Sequence, residues 1–399
     1  MKVNNHPKLR FTEFSDSWKS KKFKELTKIN QGLQIPISDR YLDEVDDSYF
    51  YITNEFLKEN SEKKYFIKNP PESVICDESD ILMTRTGNTG MVVTNVSGAF
   101  HNNFFRISYP EYIDKIFLYQ FLNLNNTQNQ IKRLAGTSTI PDLNHSDFYR
   151  IKMTYPELKE QKKIASFLSS VDKKIKLLQV KKDLLEDYKK GVMQQIFSQQ
   201  IRFKDDDGND YPDWEEKKLA DITKYYDGTH QTPKYVSEGI AFYSVEHVTA
   251  NQFEKTKFIS EEVFEKENKR VKLEKGDILM TRIGNIGKAK YIDWNVRASF
   301  YVSLALIKQN SSFSSKYLSQ FINSTFFQRE LWKRTIHVAF PQKINLGEIG
   351  NCIVRLPSLK EQNQIADFLS AIDAKINSVK AQLIYNQNFK KGLLQQMFV

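Results

Sequence analysis

Three short segments of this 399-residue chain resemble catalytic motifs in outline. NPPE at residues 69–72 is close to the Asn-Pro-Pro-aromatic motif of amino-methyltransferases, but Glu72 cannot stack on a flipped base as an aromatic ring does. GNIGK at residues 284–288 is shorter than the phosphate loop GxxxxGK, and Ala289 follows where that loop has a hydroxyl. PDWEEK at residues 212–217 crowds its acids into one segment without a counterpart in the first half. We therefore expect no catalytic residue in this chain.

Polar and basic side chains in predicted loops and element ends fit base recognition better. Arg and Lys can bond guanine bidentately, and Gln and Asn can do so with adenine. In the first half these candidates are Gln31, Gln34, His101, Asn102, Asn103, Arg133, Thr137 and Thr139. In the second half they are His230, Gln231, Lys234, Arg297, Lys333, Arg334, His337, Gln342 and Lys343. For each of them a solvated surface position is the alternative.

The motif DILMTRxGNxG occurs twice, at residues 80–90 and 277–287. Its Ile-Leu-Met run predicts a buried strand, and its glycines permit a tight turn with positive φ. Arg85 and Arg282 could contact phosphate, although the motif fits an architectural role at least as well. Because both halves share it, base readout should come from residues that differ between them.

The composition favours a polyanionic partner. The chain has 59 Lys+Arg against 49 Asp+Glu, a net charge of +10 spread along its length, so nucleic acid fits better than a membrane surface. A merely soluble basic protein is the alternative. Cys76 and Cys352 form no CxxC, and the six histidines are scattered, which argues against a zinc site or disulfide framework. We see no signal peptide and no apolar run of about 18 residues, and we expect a cytoplasmic protein.

The whole chain is organised as an internal repeat with a period of about 200 residues. Each half opens alike, with LRF from Leu9 or IRF from Ile201, and then contains DILMTRxGNxG. Each half closes with a long segment, PELKEQKKIASFLSSVDKKI from Pro156 or PSLKEQNQIADFLSAIDAKI from Pro357. Between these blocks the halves hardly resemble one another. The pattern indicates two domain-sized units with a shared frame and different contents.

The closing segments predict long helices. Apolar residues in alternating steps of four and three define a heptad seam. Its members are Ile164, Leu168, Val171, Ile175 and Leu178 in the first helix, and Ile365, Leu369, Ile372, Ile376 and Val379 in the second. Four polar residues also occupy heptad positions, where they can fix register: Lys182, Lys189, Asn386 and Lys390.

Two helices of roughly 40 residues, each about 60 Å long, can pack as an antiparallel coiled coil with a pseudo-two-fold axis between them. A simple core hairpin is the alternative. Gly191 and Gly392 are unfavourable inside a helix, and a close backbone crossing or a partner helix would explain them.

The remaining segments, about 12–155 and 204–356, read as mixed α/β domains, which makes the chain α+β as a whole. FFRISY at 104–109 and FYVSLALI at 300–307 predict strands because they are rich in aromatic and β-branched residues. Residues 114–123 and 316–332 predict helices.

The order of variable domain, LKEQxxIAxFLSxxDxKI helix, variable domain and second such helix resembles the specificity subunits of type I restriction–modification systems. DILMTRxGNxG is similar to that family's target-recognition signature, and DGTHQTPKY at 227–235 is similar to another of its segments. The first half departs from the pattern in having Ser79 where the second has Gly276. It also has NQGLQIP at 30–36 in place of the DGTH segment.

The resemblance implies target-recognition domains at residues 1–155 and 201–356, and spacer helices at 156–200 and 357–399. It implies that each domain reads one part of a split double-stranded DNA site, while the helices space the domains and dock two modification (methyltransferase) subunits. A restriction subunit with motor and nuclease activity would then join. S-adenosylmethionine, ATP and Mg²⁺ would belong to those partners, and this chain would hold no cofactor.

Other functions make different predictions. A stand-alone sequence-specific DNA-binding protein would bind its site tightly as a purified chain, whereas a specificity subunit would bind weakly or be insoluble until the modification subunit is added. A single-chain restriction enzyme would need catalytic motifs that the sequence lacks. A purely structural coiled-coil protein is disfavoured because most residues lie in the mixed domains.

If the long helices set the separation of two reading domains, their length should set the gap between the half-sites. Inserting four residues into each helix adds about 6 Å, so we expect the gap to grow by about 2 bp. Mapping of the methylated site measures this gap. An unchanged spacer would reject the idea that the helices act as a ruler.

Overall fold

The computed structural model describes residues 6–58, 61 and 63–399, and the chain forms two compact units. Unit 1 comprises Met1–Gln179 together with Ala381–Val399, and unit 2 is Val180–Lys380. Each unit therefore contains one mixed domain and a part of both long helices.

The mixed domain of unit 1 contains ten strands and four short helices among its described residues, followed by a long helix. In chain order these are β1 (Lys19–Lys22), α1 (Phe23–Leu26), β2 (Lys28–Gln31), β3 (Ser48–Ile52), β4 (Phe66–Lys68), β5 (Ile75–Cys76), β6 (Ile81–Thr84), β7 (Val92–Thr94), β8 (Gly98–Phe100), β9 (Phe104–Ser108), α2 (Lys115–Leu122), α3 (Asn125–Ala135), α4 (His145–Phe148), β10 (Lys152–Tyr155) and α5 (Leu158–Phe197). Short 3₁₀ turns occupy Ile37–Asp39, Asn54–Leu57 and Glu72–Val74.

Among the described residues, the mixed domain of unit 2 repeats this order with two additional helices and without a counterpart of β5. Its elements are β11 (Glu215–Lys218), α6 (Leu219–Ile222), β12 (Tyr225–Asp227), β13 (Ile240–Tyr243), α7 (Val245–Ala250), β14 (Lys257–Ile259), α8 (Glu261–Asn268), β15 (Ile278–Thr281), β16 (Ala289–Tyr291), β17 (Ala298–Phe300), β18 (Leu304–Ile307), α9 (Ser315–Ile322), α10 (Thr325–Arg334), α11 (Leu346–Gly350), β19 (Ile353–Leu356) and α12 (Leu359–Met397).

The first two sheets of each unit have the same strand order, and the third sheet of unit 2 has one strand fewer than that of unit 1. Unit 1 has the sheets β1-β10, β2-β9-β6-β7 and β4-β3-β8-β5, and unit 2 has β11-β19, β12-β18-β15-β16 and β14-β13-β17. In both units the third sheet contains a parallel pair, β3 with β8 or β13 with β17. The equivalence confirms the α+β class and the internal repeat.

Two sequence predictions need correction, while FFRISY is a strand and residues 115–122 are helical as predicted. FYVSLALI is split between β17 and β18, because Leu304 N–H bonds Tyr301 O at 2.9 Å and closes a turn. Residues 316–332 form two helices, because the hydroxyl of Ser324 accepts the Phe327 N–H and starts α10.

The two long helices are present and pack antiparallel within each unit. In unit 1 the first turns of α5 and the last turns of α12 share one core, which includes Leu168, Val171, Leu393 and Met397. In unit 2 the end of α5 joins the beginning of α12 in another core. Of the predicted seam residues, Ile175 is half-buried and the other nine are buried: Ile164, Leu168, Val171, Leu178, Ile365, Leu369, Ile372, Ile376 and Val379.

Two of the four polar heptad residues, Lys189 and Lys390, form ion pairs between the long helices. In unit 1 Asp172 accepts the Lys390 ammonium at 2.6 Å and the Gln120 amide at 3.0 Å. In unit 2 Asp373 accepts Lys189 at 2.7 Å and the equivalent glutamine, Gln320, at 2.8 Å. One aspartate in each unit therefore connects both long helices to the helix that follows the sheets.

Gly191 and Gly392 do not mark a close crossing of the described helices. A Cβ at Gly191 would meet nothing within 4 Å, and one at Gly392 would meet only the Gln396 amide at 3.9 Å. The structure therefore does not show the close backbone crossing that was one of the two explanations considered for these glycines.

The start of each long helix is fixed by a buried glutamate of the LKEQ sequence. In unit 1 Glu160, 1% exposed, accepts two bonds of 2.8 Å from Arg10. In unit 2 Glu361, fully buried, accepts Arg202 at 3.2 and 2.9 Å and the Trp214 indole N–H at 3.1 Å. The LRF and IRF openings thus supply the arginines that neutralise these carboxylates.

Breaking one of these pairs should destabilise the chain strongly, because an unpaired carboxylate would remain buried. For Arg202→Met we expect the free energy of unfolding to fall by about 3–5 kcal/mol, measured by equilibrium denaturation. Lys204→Met is the matched control, since the Lys204–Asp210 pair is exposed (62% and 80%), and should change stability by less than about 1 kcal/mol. Equal effects of the two substitutions would contradict this role of Glu361.

Candidate nucleic-acid interface

The DILMTRxGNxG motif builds one tight turn in each unit. Its strands, β6 and β15, are buried along their whole length, and φ is +82° at Gly87 and +80° at Gly284. A glutamine of the following helix holds each turn: the amide of Gln128 donates to Gly90 O at 2.8 Å, and that of Gln328 to Gly287 O at 2.7 Å. The predicted buried strand and positive-φ turn are confirmed.

Three segments lie together at the motif arginine of each unit, where segments B and C bond the arginine backbone and segment A bonds segment B. Segment A is 31–34 in unit 1 and 227–234 in unit 2, segment B is 101–103 and 301–303, and segment C is 133–143 and 333–344. In unit 1 the Arg85 N–H donates to Asn103 O at 2.7 Å, and Arg85 O accepts the Leu143 N–H at 2.8 Å. The arginine backbone thus joins segment B to segment C.

Segments A and B of unit 1 bring five predicted residues together. The Gln31 amide donates to Asn102 O at 3.2 Å, and the Asn102 amide donates to Gln34 Oε1 at 3.0 Å. The Asn103 N–H donates to His101 Nδ1 at 3.1 Å. The Oδ1 atom of Asn102 is buried and has no hydrogen-bond partner among the described residues. The cluster presents amide groups, which suit adenine, beside a histidine.

Unit 2 makes the same backbone connections with different side chains. Arg282 N–H donates to Ser303 O at 2.9 Å, and Arg282 O accepts Ile344 N–H at 3.0 Å. In segment A, His230 bonds Asp227 at 2.8 Å, and Gln231 and Lys234 are exposed. Segment B here reads Tyr-Val-Ser, where unit 1 has His-Asn-Asn.

NQGLQIP and DGTH occupy the same structural position, so the departure noted in the sequence is one of side chains only. A Cβ on Gly32 would lie 2.2 Å from Phe100 O, and one on Gly228 would lie 2.1 Å from Phe300 O. Both glycines are therefore needed where segment A passes β8 or β17. Gln34 in unit 1 then corresponds to His230 in unit 2.

The motif arginines are engaged by their own units. Arg85 makes a bidentate pair with Asp142, at 3.0 and 2.6 Å. Arg282 is 8% exposed and donates to Ile344 O at 3.2 Å and Val302 O at 3.1 Å. Burial lowers the pKa of Arg282, and the nearby Asp227 opposes that shift. These bonds favour the architectural role over contact with phosphate.

Asp227 fixes the shape of segment A in unit 2. Burial would raise the pKa of this carboxyl, but hydrogen bonds from Arg270 and His230 hold it below its ordinary value. Arg270 also reaches Gly228 O at 3.2 Å. Asp227 therefore remains ionised and orients the side chain of His230.

Segment C begins in the last residues of α3 or α10 and carries further predicted residues. Arg133, Thr137 and Thr139 are exposed in unit 1. In unit 2 Gln342 and Lys343 are exposed, and His337 bonds Trp332 O at 3.0 Å.

Three predicted cations are held by neighbouring acids. Lys333 and Arg334 pair with Glu330 at 2.9 and 2.8 Å. Arg297 precedes β17, at the end of that strand away from segment B, and pairs with Glu261. The structure therefore does not bring Arg297 to the convergence of the three segments.

No group of three His, Cys, Asp or Glu side chains in the described part of the chain could hold a metal ion. Within the same residues, no helix is both long enough and apolar enough to cross a membrane.

The model of the type I restriction–modification DNA specificity domain matches this chain twice, at residues 15–187 and 211–385. The chain belongs to this family of specificity subunits. Each match takes in one set of segments A, B and C and most of the long helix that follows.

Curated relatives agree over most of the chain. It is 27% identical over 371 residues to the type I restriction enzyme MjaVIII specificity subunit of Methanocaldococcus jannaschii, covering 88% of this chain and 85% of that protein. It is 22% identical to the MjaIX specificity subunit of the same organism, over 81% and 77%. It is 23% identical to the EcoBI specificity subunit of Escherichia coli, over 71% of this chain and 61% of that one.

Solved structures support the fold. The type I restriction–modification S subunit from M. genitalium superposes with a TM-score of 0.65 at 17% identity, covering 99% of both chains. A chain from a study of complex assembly and conformational transition in the type I system gives 0.55 at 15% identity, covering 96% and 97%.

Several residues of this specificity subunit were not predicted from the sequence. Asp142 and Asp227 orient segments C and A, and Gln128 and Gln328 hold the turns. The glutamines carried a signal, because both occur at the same place in the repeat.

His101 should remain neutral at physiological pH. Burial, with a smaller contribution from Arg40, lowers its pKa from 6.5 to about 4. The unfolded chain takes up this proton below pH 6.5 and the folded chain does not, so His101 contributes stability above pH 6.5 that declines as the pH falls towards 4. Imidazole NMR should show no titration of His101 between pH 8 and 5.5. A midpoint near 6.5 would contradict its burial.

Proposed function

We propose that this chain reads a bipartite double-stranded DNA site for a type I restriction–modification complex and has no catalytic activity of its own. The observation that carries the proposal is the pairing of one backbone frame with two sets of side chains. The glycine turn and the backbone bonds of the arginine are the same in both units, while the side chains of segments A and B differ. Such a frame suits two reading domains that recognise different half-sites.

In this proposal unit 1 reads its half-site with Gln31, Gln34 and Asn102, whose amides suit adenine. Unit 2 uses His230, Gln231 and Lys234. Arg133, Lys343 and other basic residues of segment C contact phosphates and set the orientation of each domain on the duplex. The net charge of +10 supports binding that weakens as salt rises.

We also propose that the long helices dock two modification subunits. Each unit exposes apolar side chains on a helix at equivalent positions of the repeat: Leu184 (64%) and Tyr188 (53%) in unit 2, Tyr385 (69%) and Phe389 (43%) in unit 1. Gly191 and Gly392 lie one turn further along their helices and leave room for a partner helix. Two equivalent apolar patches support two copies of the partner.

The reactions would be carried out by other subunits. The modification subunits would bind S-adenosylmethionine, and a restriction subunit would use ATP and Mg²⁺. Through its choice of site, this chain would then set where methylation and cleavage take place.

Co-expression with a modification subunit, followed by mapping of methylated adenines, tests the proposal. We expect methylation at one bipartite site that requires this chain. Gln34→Ala should relax only the first half-site and His230→Ala only the second, each with a loss of about 1–3 kcal/mol in discrimination. The two positions are structurally equivalent, so each variant is the matched control of the other.

Two outcomes would reject the proposal. Methylation by the modification subunit without this chain would show that it is dispensable. Tight specific binding by the purified chain alone, unchanged on adding the modification subunit, would favour a stand-alone DNA-binding protein.

A further inference from the structure

The loop of segment C in unit 2 carries two exposed apolar side chains at its tip. Val338 is 97% exposed and Phe340 is 104% exposed, although both lie within six residues of a buried side chain, Ile344. Single exposed apolar residues are common on protein surfaces, but two large ones together at a loop tip are not. Together they suggest a contact outside the unit.

The base of this loop is held firmly. Ile336 N–H donates to Lys343 O at 2.8 Å, and the turn glycine, Gly284, donates its N–H to Gln342 O at 2.8 Å. His337 packs on the Trp332 ring with centroids 4.9 Å apart. The tip is thus presented from a fixed base beside segments A and B.

Unit 1 presents an apolar residue close to the equivalent place, three residues before Leu143 where Phe340 lies four residues before the matching Ile344. Ile140 is 65% exposed and precedes Pro141, just as Phe340 precedes Pro341. Thr89, within the turn of the DILMTRxGNxG motif, donates its hydroxyl to Pro141 O at 2.7 Å. The repeat therefore keeps the apolar tip, while the two residues differ in size and shape.

The sequence around each tip is rich in basic residues, although Lys333 and Arg334 also pair with Glu330. Residues 325–343 contain Arg329, Lys333, Arg334 and Lys343, with Glu330 as their one acidic residue. Residues 125–143 contain Lys132 and Arg133, and their acidic residue, Asp142, is paired with Arg85. An apolar tip flanked in sequence by basic residues complements a duplex, whose phosphates surround stacked apolar bases.

We propose that Phe340, assisted by Val338, and Ile140 are apolar base contacts that enter the DNA from segment C of each unit. This inference rests on the proposed function and adds a specificity-determining residue to each reading domain. Phe and Ile are among the apolar side chains that proteins insert between base steps. A basic side chain could not replace either of them in such a contact. The larger ring of Phe340 should disturb stacking more than Ile140 does.

The test uses this chain in complex with its modification subunit and a duplex carrying the methylated site mapped for that complex. Phe340→Ala should weaken binding about 5- to 100-fold, the range expected for loss of an aromatic contact to a base. Phe340→Leu, which keeps an apolar tip, should retain most of the affinity. A 2-aminopurine placed in the second half-site should brighten with the wild-type complex and much less with Phe340→Ala.

Ile140→Ala is the internal control, because it should affect only the first half-site and leave the 2-aminopurine signal in the second half-site unchanged. Unchanged affinity and methylation pattern for Phe340→Ala would overturn the inference, while the proposed function would stand as long as the wild-type complex still methylates one bipartite site. Loss of assembly with the modification subunit, seen by gel filtration, would also overturn it, because the tip would then bind a protein.

Discussion

The buried glutamates Glu160 and Glu361 are the interactions on which the architecture depends. A carboxylate without solvent needs a cation and further donors, and each glutamate takes an arginine from the segment that opens its half of the chain. The LKEQ glutamines next to them are also hydrogen-bonded. The Gln161 side chain accepts Asp114 N–H at 2.9 Å, and the Gln362 side chain accepts Ser314 N–H at 2.8 Å. The start of each long helix is therefore tied to the opening strand region and to the helix that follows the sheets.

These ion pairs and hydrogen bonds fix the orientation of each mixed domain relative to the start of the long helix that follows it. Because unit 1 also includes Ala381–Val399, its core contains the last turns of α12, and Phe398, just after the helix, stacks on Phe117 with centroids 4.9 Å apart. Unit 2 uses the end of α5 in the same way, with Phe197 packed against Phe321 at 5.2 Å. A rigid base of this kind lets segments A, B and C change in sequence without loss of the frame.

The repeated features could be predicted from the sequence. Heptad spacing identified the long helices and their seam, and DILMTRxGNxG predicted a buried strand and turn, because apolar periodicity and glycine chemistry act locally. The buried glutamates could not be recognised in this way, because a charge near the start of a helix normally faces water. Only the repetition of LKEQ in both halves hinted at their role.

The candidate interface was predicted only in part. Gln31, Gln34, His101, Asn102 and Asn103 converge as residue chemistry suggested, but Arg297 lies apart because strand direction cannot be read from one sequence. NQGLQIP and DGTH share little more than the glycine that passes a neighbouring strand. Phe340 was missed because an apolar loop residue resembles a core residue until its exposure is known.

The central claim is that the core of each mixed domain is completed by the end of a long helix, that of α12 in unit 1 and that of α5 in unit 2. Hydrogen exchange measured by mass spectrometry on the full chain tests it most directly. Met397→Ala with Phe398→Ala should speed exchange in α2 of unit 1 and leave α9 of unit 2 unchanged, while Met193→Ala with Phe197→Ala should do the reverse. Unchanged exchange in α2, or equal acceleration in both helices with either pair of substitutions, would contradict the account.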